Sequence, residues 1–586
     1  MTALAISTTV NSSRHRLVNV RRRTLSTAKL RGLFIAALFT VLAVCALLRI
    51  LFLGIFEQGG SRFSFADALT PDRGEIVDRN GEVLARDFSA YALWFKPDEL
   101  KDGTPLIRSK EEIASALVRI FPDLDYAETV KKLGSDRGVH LRERILPEQA
   151  NQVHALGEPA IQVPRELDRI YPQGSMAAHV LGFVDSDKQG QVGMEAYFND
   201  TLVGEHTRGL PATISIDARV QGALEDELGW GMAMSSAKGA AGVILDVDTG
   251  EVLALASLPA FNPNKVLPGD KWVSEDSARR GDTAHVFNRV TNQVYELGST
   301  FKPITVAAAL DTGTITSLGK RYQANQPLKI DTFSIRDSHA LGASLNVPQS
   351  LIHSSNIVTA QIADDLGGKN LKRTMEALAM NERPYIELPA RGMPLWPKGN
   401  WGRLTTMTVS YGHGIAVTPL HLASAYAALV NGGVWRPATL RKLEPGAIPK
   451  GRRVFKAATS ARMRQMLRMI VAYGTGRRAD AAGFRVGGKT GSAEKPGVGG
   501  YRRSSLVSTF AAAFPMDRPR YVVIAMLDEP KGTAATSGQR TASWNAAPVV
   551  GRVVPRVGPL LGILPDKTRD VDISDLRPLI RDEVSR

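Results

Sequence analysis

Gly298-Ser299-Thr300-Phe301-Lys302-Pro303-Ile304-Thr305-Val306-Ala307-Ala308-Ala309-Leu310 is the stretch from which the rest of the chain can be read. Proline is tolerated in the first turn of a helix, where backbone amides lack intrahelical partners, and the apolar run after Pro303 predicts a helix over 303–311. Residues i and i+3 share a helix face, so the Lys302 amine should lie beside the Ser299 hydroxyl. A serine hydroxyl is a weak nucleophile and needs an adjacent base. Lysine can serve when burial or nearby cations bring its pKa towards neutrality. A serine in a first turn also has a free N–H to face an oxyanion. Alone, Ser-x-x-Lys is weak, because a solvated helix start produces it too.

Two later segments strengthen it. Ser354-Ser355-Asn356 lies in a predicted helical stretch, 346–365. Ser354 could pass a proton between Lys302 and a leaving group, and Asn356 could donate to a substrate carbonyl; the plain alternative is a capping cluster. Lys489-Thr490-Gly491-Ser492 follows Val486-Gly487-Gly488. Small residues let a substrate backbone approach, and an edge strand can pair with a peptide. Lys489 offers a positive charge to a carboxylate, Thr490 adds a hydroxyl, and the Ser492 N–H can complete an oxyanion hole with that of Ser299. Gly483 to Thr490 also fits the phosphate-binding pattern G-x-x-x-x-G-K-T, which requires a buried strand before it and a helix after it. Neither Arg477-Arg478-Ala479-Asp480 nor Glu494-Lys495-Pro496-Gly497 suits that context, so an NTPase is disfavoured.

The surrounding chain reads as α+β. Asp78 to Gly81 forms a hairpin turn ahead of Val83-Leu84-Ala85, and residues 108–160 carry helical periodicity. Asp217 caps a helix through Val220, Leu224 and Leu228. Strands are predicted at 243–245, 252–256, 508–514 and 521–527, with a further helix over 417–431. Strand pairs at both ends with helices between indicate one α+β domain with a mostly antiparallel sheet. Residues 565–586 are charged and read as a loose tail.

The net charge of +15 invites a nucleic-acid reading. Seven cations fall in residues 1–32, which hold no acid, leaving +8 for the remaining 554 residues. Basic stripes with interleaved aromatics are absent, so nucleic acid is set aside. The single cysteine, Cys45, excludes an intramolecular disulfide and a cysteine-based metal site. Leu33 to Phe56, interrupted by Arg49, is a 24-residue apolar span. At ~1.5 Å per residue it reaches about 36 Å, enough for a ~30 Å hydrocarbon layer. The preceding cations place the N-terminus in the cytoplasm. The run is longer than a signal peptide's and ends in bulky residues, so an uncleaved anchor is favoured.

The set Ser299-x-x-Lys302, Ser354-x-Asn356 and Lys489-Thr490-Gly491, spaced by 55 and 135 residues, resembles the class B, monofunctional penicillin-binding proteins over nearly all of 33–562. Their contexts match as well: Tyr295-Glu296-Leu297-Gly298, Ser410-Tyr411-Gly412-His413-Gly414, Thr418-Pro419 and Ala546-Ala547-Pro548. So do Arg73-Gly74, Asp78-Arg79-Asn80-Gly81, Arg169-Ile170-Tyr171-Pro172 and Gly193-Met194-Glu195, whose Arg73, Asp78, Arg169 and Glu195 are read as structural. His413 is likewise read as structural. The resemblance implies a cytoplasmic basic tail (1–32), a transmembrane anchor (33–56), an elongated β-rich pedestal of dimerisation type (57–211), a serine-acyltransferase domain with a five-stranded, mainly antiparallel sheet (212–562) and a C-terminal tail (563–586). It implies a peptidoglycan D,D-transpeptidase in the inner membrane with its catalytic domain in the periplasm. Ser299 is then the nucleophile, Lys302 the general base, Ser354 the proton relay and Asn356 a substrate anchor, while Lys489 and Thr490 bind the D-Ala carboxylate and Gly491 and Ser492 line the substrate strand.

The implied ligands are stem peptides and β-lactams, with no cofactor or metal. The implied partners are a membrane-embedded glycosyltransferase of the SEDS/FtsW type and other divisome proteins, since 57–211 shows no glycan-polymerising glutamate motif. Ser-Ser-Asn, where the elongation branch often has Ser-x-Asp, favours the septal, FtsI-type branch. Ser492 departs from the commoner threonine. An elongation enzyme and a non-cross-linking penicillin-binding sensor or scaffold stay open.

Overall fold

The computed structural model describes residues 29–49, other than 30, 32 and 48, and residues 73–581, other than 101–105, 186, 205–206, 208–209, 280–281 and 498–499. The chain divides into two units, Met1–Thr70 and Pro71–Arg586. In the first, residues 33–47 are helical, and Leu33, Phe34, Leu38, Phe39, Leu42 and Leu47 are exposed. Among the described residues no helix is long and apolar enough to cross a membrane. Residues 50–56, the end of the expected span, and residues 1–28 of the basic segment lie outside the described residues.

The second unit begins with strands β1 (Ile76–Val77) and β2 (Val83–Phe95), antiparallel across the expected turn. The Asp78 carboxylate makes that turn by accepting from Asn80 N at 2.7 Å and Glu82 N at 2.9 Å. Helices α1 (Lys110–Ile120) and α2 (Tyr126–Lys132), strand β3 (Val139–Ile145) and helix α3 (Pro147–His154) follow. The reading of 108–160 as helical is thus corrected. Val139, Leu141 and Ile145 carry a strand's alternation, and β3 pairs with β2 to bury Leu141 and Ile145 against Leu93, Phe95, Leu117 and Phe121. β4 (Ile161–Gln162) and β5 (Arg165–Ile170) also pair with β2, and β6 (Ala212–Thr213) lies parallel to β1.

Buried charges tie this region together. Glu195 accepts from Arg73 Nε at 2.7 Å and Arg169 Nε at 2.8 Å, and Arg169 also reaches Asp87 at 3.1 Å. Each charge has partners, as burial demands. This agrees with a structural role for Arg73, Arg169 and Glu195.

Asp217 caps α4 (Ala218–Ser235) as expected, accepting from Arg219 N. Next come β7 (Gly239–Asp246), β8 (Val252–Leu258), α5 (Lys302–Asp311), α6 (Val347–Ile352), α7 (Asn356–Leu366), α8 (Arg403–Ser410), α9 (Pro419–Val430) and α10 (Ala457–Tyr473). The chain then returns through β9 (Gly487–Gly497), β10 (Gly500–Phe514), β11 (Tyr521–Asp528) and α11 (Ala546–Leu560). The sheet order is β9-β10-β11-β7-β8, antiparallel at every pairing. Successive side chains take opposite faces. Val243, Leu245, Val522 and Ile524 face the core shared with α5, α7, α9 and α10, while Ile244, Val523 and Ala525 face α4 and α11. Covering on both faces explains why β7 and β11 read as continuous apolar runs. β9 and β8 are the two edge strands.

The loose-tail reading is corrected for 565–581. Leu576 and Ile580 are 2% and 0% exposed in the main core. Asp570 pairs with Arg468 of α10 at 2.8 Å, and Asn346 Nδ2 donates to Leu579 O at 2.7 Å. The acids of this segment neutralise arginines on α10, and the apolar residues between them fill the core.

Candidate active site

Ser299 sits in one turn of 3-10 helix, Gly298–Phe301, that runs into α5. In a 3-10 turn residues i and i+3 eclipse, so Ser299 and Lys302 share a face as expected. Ser299 is half-buried and Lys302 is 0% exposed. The turn is held by backbone packing. A Cβ on Gly491 would stand 2.3 Å from Leu297 O, and one on Gly412 would stand 2.2 Å from Gly298 O, so only glycine lets β9 and the 411–414 loop close on the nucleophile.

The second motif breaks the predicted 346–365 helix. α6 ends at Ile352 and α7 starts at Asn356, with Ser354 between them at φ +60°. An L-residue adopts that left-handed conformation at a cost, and such residues gather at functional sites. Ser355 caps α7, its hydroxyl accepting from Val358 N at 3.1 Å. The capping reading is thus met at Ser355, while the neighbouring Ser354 is left out of the cap. A continuous apolar period across 346–365 concealed the break.

The turn brings the Ser354 hydroxyl between two amines. Lys302 Nζ donates to it at 3.2 Å and Lys489 Nζ at 2.8 Å, and Lys302 also donates to the Ser354 carbonyl. The hydrogen bonds of the Lys302 amine thus go to Ser354. Catalytic hydrogen bonds commonly tighten only when substrate arrives. Burial pushes the Lys302 amine down to about 7 against the opposing pull of Asp337. Burial, and then the charge of Lys302, holds Lys489 well below the usual lysine range.

Lys489 also donates to Thr490 O at 3.0 Å and Thr490 Oγ1 at 3.2 Å, and Thr490 Oγ1 meets Thr475 Oγ1 at 2.9 Å. Lys489 to Ser492 lie on the edge strand β9, not in a loop leading to a helix, which removes the phosphate-loop alternative. Ser492 Oγ accepts from Ala542 N at 3.0 Å. Asn356 opens α7, its Nδ2 donating to Arg336 O at 3.0 Å. Lys302, Ser354 and Lys489 therefore meet directly, and the Ser299 turn packs against β9 at Gly491, while the Asn356 side chain is engaged by Arg336. His413 takes no part in these hydrogen bonds: it packs between Tyr411 and Tyr501, and burial lowers its pKa to about 4.

Sequence reading missed three contributors. Asp337 accepts from Ser355 Oγ at 2.7 Å and from the amides of Asn356 at 2.5 Å and Ile357 at 3.2 Å. Thr475 orients Thr490. Glu296 accepts from Tyr501 OH at 2.9 Å and Gly414 N at 3.0 Å, joining the start of the nucleophile turn to β10. Glu296 lies in the quoted Tyr295-Glu296-Leu297-Gly298 context without a role of its own, Gly474-Thr475-Gly476 announces only a turn, and Asp337 belongs to no short motif. Among the described residues no group of three His, Cys, Asp or Glu is arranged to hold a metal ion.

A buried lysine next to a first-turn serine, a serine hydroxyl bridging it to a second lysine, and an edge strand alongside can together perform acyl transfer. Comparisons with known proteins agree. The penicillin-binding protein transpeptidase domain matches residues 240–550, and the penicillin-binding protein dimerisation domain matches residues 68–209. The probable peptidoglycan D,D-transpeptidase FtsI of Caulobacter vibrioides is 39% identical over 519 residues, 87% of this chain and 85% of that protein. The peptidoglycan D,D-transpeptidase FtsI of Escherichia coli K12 is 28% identical over 570 residues, 91% of this chain and 93% of that protein. The structure of penicillin-binding protein 3 from Mycobacterium tuberculosis, solved with aztreonam, shares the fold at a TM-score of 0.64 and 24% identity, over 84% of this chain and 97% of that one. Geometry and kinship converge: the chain belongs to the FtsI-type class B penicillin-binding proteins.

Proposed function

We propose that the chain is a peptidoglycan D,D-transpeptidase acting through a Ser299 acyl-enzyme. The observation that carries the reading is the Ser354 hydroxyl held at 3.2 Å and 2.8 Å from two buried amines, one of them on Lys302, three residues after Ser299. Lys302, brought near neutrality by burial, takes the Ser299 proton. Ser299 Oγ bonds to the penultimate D-Ala carbonyl carbon, and the resulting oxyanion faces the Ser299 and Ser492 amides. Ser354 relays the proton to the departing nitrogen, the peptide C–N bond breaks and D-Ala leaves. An amine of a neighbouring stem peptide then attacks the ester. The C–O bond breaks, a proton from the attacking amine passes to Ser299 Oγ and the cross-link is made.

Lys489 and Thr490 hold the donor carboxylate, Asn356 its amide, and Gly491 admits its backbone along β9. β-Lactams acylate the same hydroxyl. Residues 33–56 anchor the chain in the inner membrane, with 1–32 in the cytoplasm; the apolar, exposed helix over 33–47 supports this. Residues 57–211 form the pedestal, 212–562 the transpeptidase domain and 563–586 its closing segment. The site of action is the division septum, beside a membrane glycosyltransferase of the SEDS/FtsW type and other divisome proteins. The test is fluorescent penicillin labelling of wild type and Ser299→Ala, followed by cross-linking of lipid-linked strands. Labelling and cross-linking are both expected to vanish in S299A. Rapid hydrolysis of the penicilloyl adduct, or labelling without cross-linking when the polymerase is present, overturns the reading.

A further inference from the structure

Asp337 follows the short ribbon of Leu328–Ile330 with Phe333–Ile335 and precedes Ser344–Leu345, which pairs back with Tyr322–Gln323. The hydrogen bonds of its carboxylate go to Ser355, Asn356 and Ile357. Oδ1 accepts from Asn356 N at 2.5 Å and Ile357 N at 3.2 Å, the first two amides of α7. Those amides have no intrahelical acceptor, and a helix N-terminus favours a negative charge. Oδ2 accepts from Ser355 Oγ at 2.7 Å, and Ser355 Oγ accepts in turn from Val358 N at 3.1 Å. Everything C-terminal to Ser354 in this turn is therefore fastened to one carboxylate, while Ser354 itself is kept at φ +60°.

We propose that Asp337 is a positioning residue for the acylation reaction, holding Ser354 between the two lysine amines and offsetting their charge. The proposal rests on the reading that Ser299 is acylated with Lys302 as base. Three groups bear on the Lys302 amine from the elements around it. Lys489 faces it from β9 across the Ser354 hydroxyl. His413, after α8, is neutral above about pH 4. Asp337, ahead of α7, favours the charged amine and opposes the effect of burial. Taking that charge away should lower the pH at which Lys302 becomes a base.

The two variants separate geometry from charge. In D337N the amide oxygen can still accept from both α7 amides, and the amide nitrogen can donate to Ser355 Oγ, so the turn persists and the charge is lost. In D337A both are lost. The assay is the second-order rate constant for acylation of the full-length, detergent-purified chain by a fluorescent penicillin, followed from about pH 5.5 to 9. D337N is expected to keep acylating, with the acid limb of its profile moved down by about one pH unit. D337A is expected to lose about tenfold or more at every pH. A D337N limb that superimposes on wild type overturns the proposal, and so does D337A acylating within about twofold of wild type. If D337A does not fold, the D337N limb alone decides. Wild-type protein that never acylates overturns the transpeptidase reading itself, an outcome distinct from an unmoved limb.

Discussion

Replacing Gly412 by alanine tests whether packing of the backbone places the nucleophile. Gly412 has φ +80°, and an added Cβ would stand 2.2 Å from Gly298 O and 2.7 Å from Gly298 N. Ordinary contact begins near 3.4 Å, so the Gly298 peptide, directly before Ser299, must retreat by about 1 Å. Left-handed alanine costs ~1–2 kcal/mol, and the forced shift adds ~1–3 kcal/mol. A misplacement of about 1 Å at a reacting group can cost ~100-fold in rate. Gly414, in the same motif, supplies the control. It has φ +73°, and its nearest neighbour to an added Cβ is Thr408 Oγ1 at 3.7 Å, so G414A carries the conformational cost without the collision. Both variants are assayed for thermal midpoint and for the second-order rate of penicillin acylation. G412A is expected to acylate about 100-fold more slowly than G414A at comparable stability. Equal acylation rates in the two variants would refute the claim that the 411–414 loop sets the position of Ser299.

Three further outcomes are expected. Wild-type acylation should rise with pH through about 7, because only the neutral Lys302 amine accepts a proton and burial brings it there; a rate independent of pH across that range removes Lys302 as the base. Glu195→Ala should destabilise the fold by about 3–5 kcal/mol in urea titration, since it leaves Arg73, 2% exposed at the side chain, as a buried charge without its carboxylate and Arg169, equally buried, with Asp87 alone; a loss under about 1 kcal/mol contradicts this. Deleting residues 565–586 should cost about 3 kcal/mol or more, because Leu576 and Ile580 leave the main core; an unchanged urea midpoint would return the segment to the status of a tail.

Local pattern carried the scaffold well where a segment has one strong period. Asp217 announces α4, and the apolar runs at 243–245 and 521–527 are central strands. It failed where two elements share a period or where charge masks packing. Val139 to Ile145 was absorbed into a helical window because its neighbours are helices. The acids between 566 and 575 hid the apolar positions that dock on α10. For the site, motif spacing identified the residues that meet, but not how they meet. Asp337 could not be found, since its partners lie 18–20 positions away and an isolated Arg336-Asp337-Ser338 has no distinguishing chemistry. The left-handed Ser354 was equally hidden, because serine marks no positive φ as glycine would.

Stability alone does not account for this arrangement. Burying one lysine is costly, and burying two, Lys302 and Lys489, within reach of one hydroxyl adds their mutual repulsion. A core assembled for folding would place apolar side chains there, as it does at neighbouring Phe301 and Ile304. The same burial that costs stability lowers both amines' affinity for protons and makes a lysine usable as a base near pH 7. The strained Ser354 and the glycine contacts at 412 and 491 have the same logic, since each sacrifices local comfort to bring a functional group to one point. The site is therefore sustained by the two-sided sheet and its helices, whose gain in burial outweighs these local losses, and it is this surplus that lets three individually weak motifs act as one catalyst.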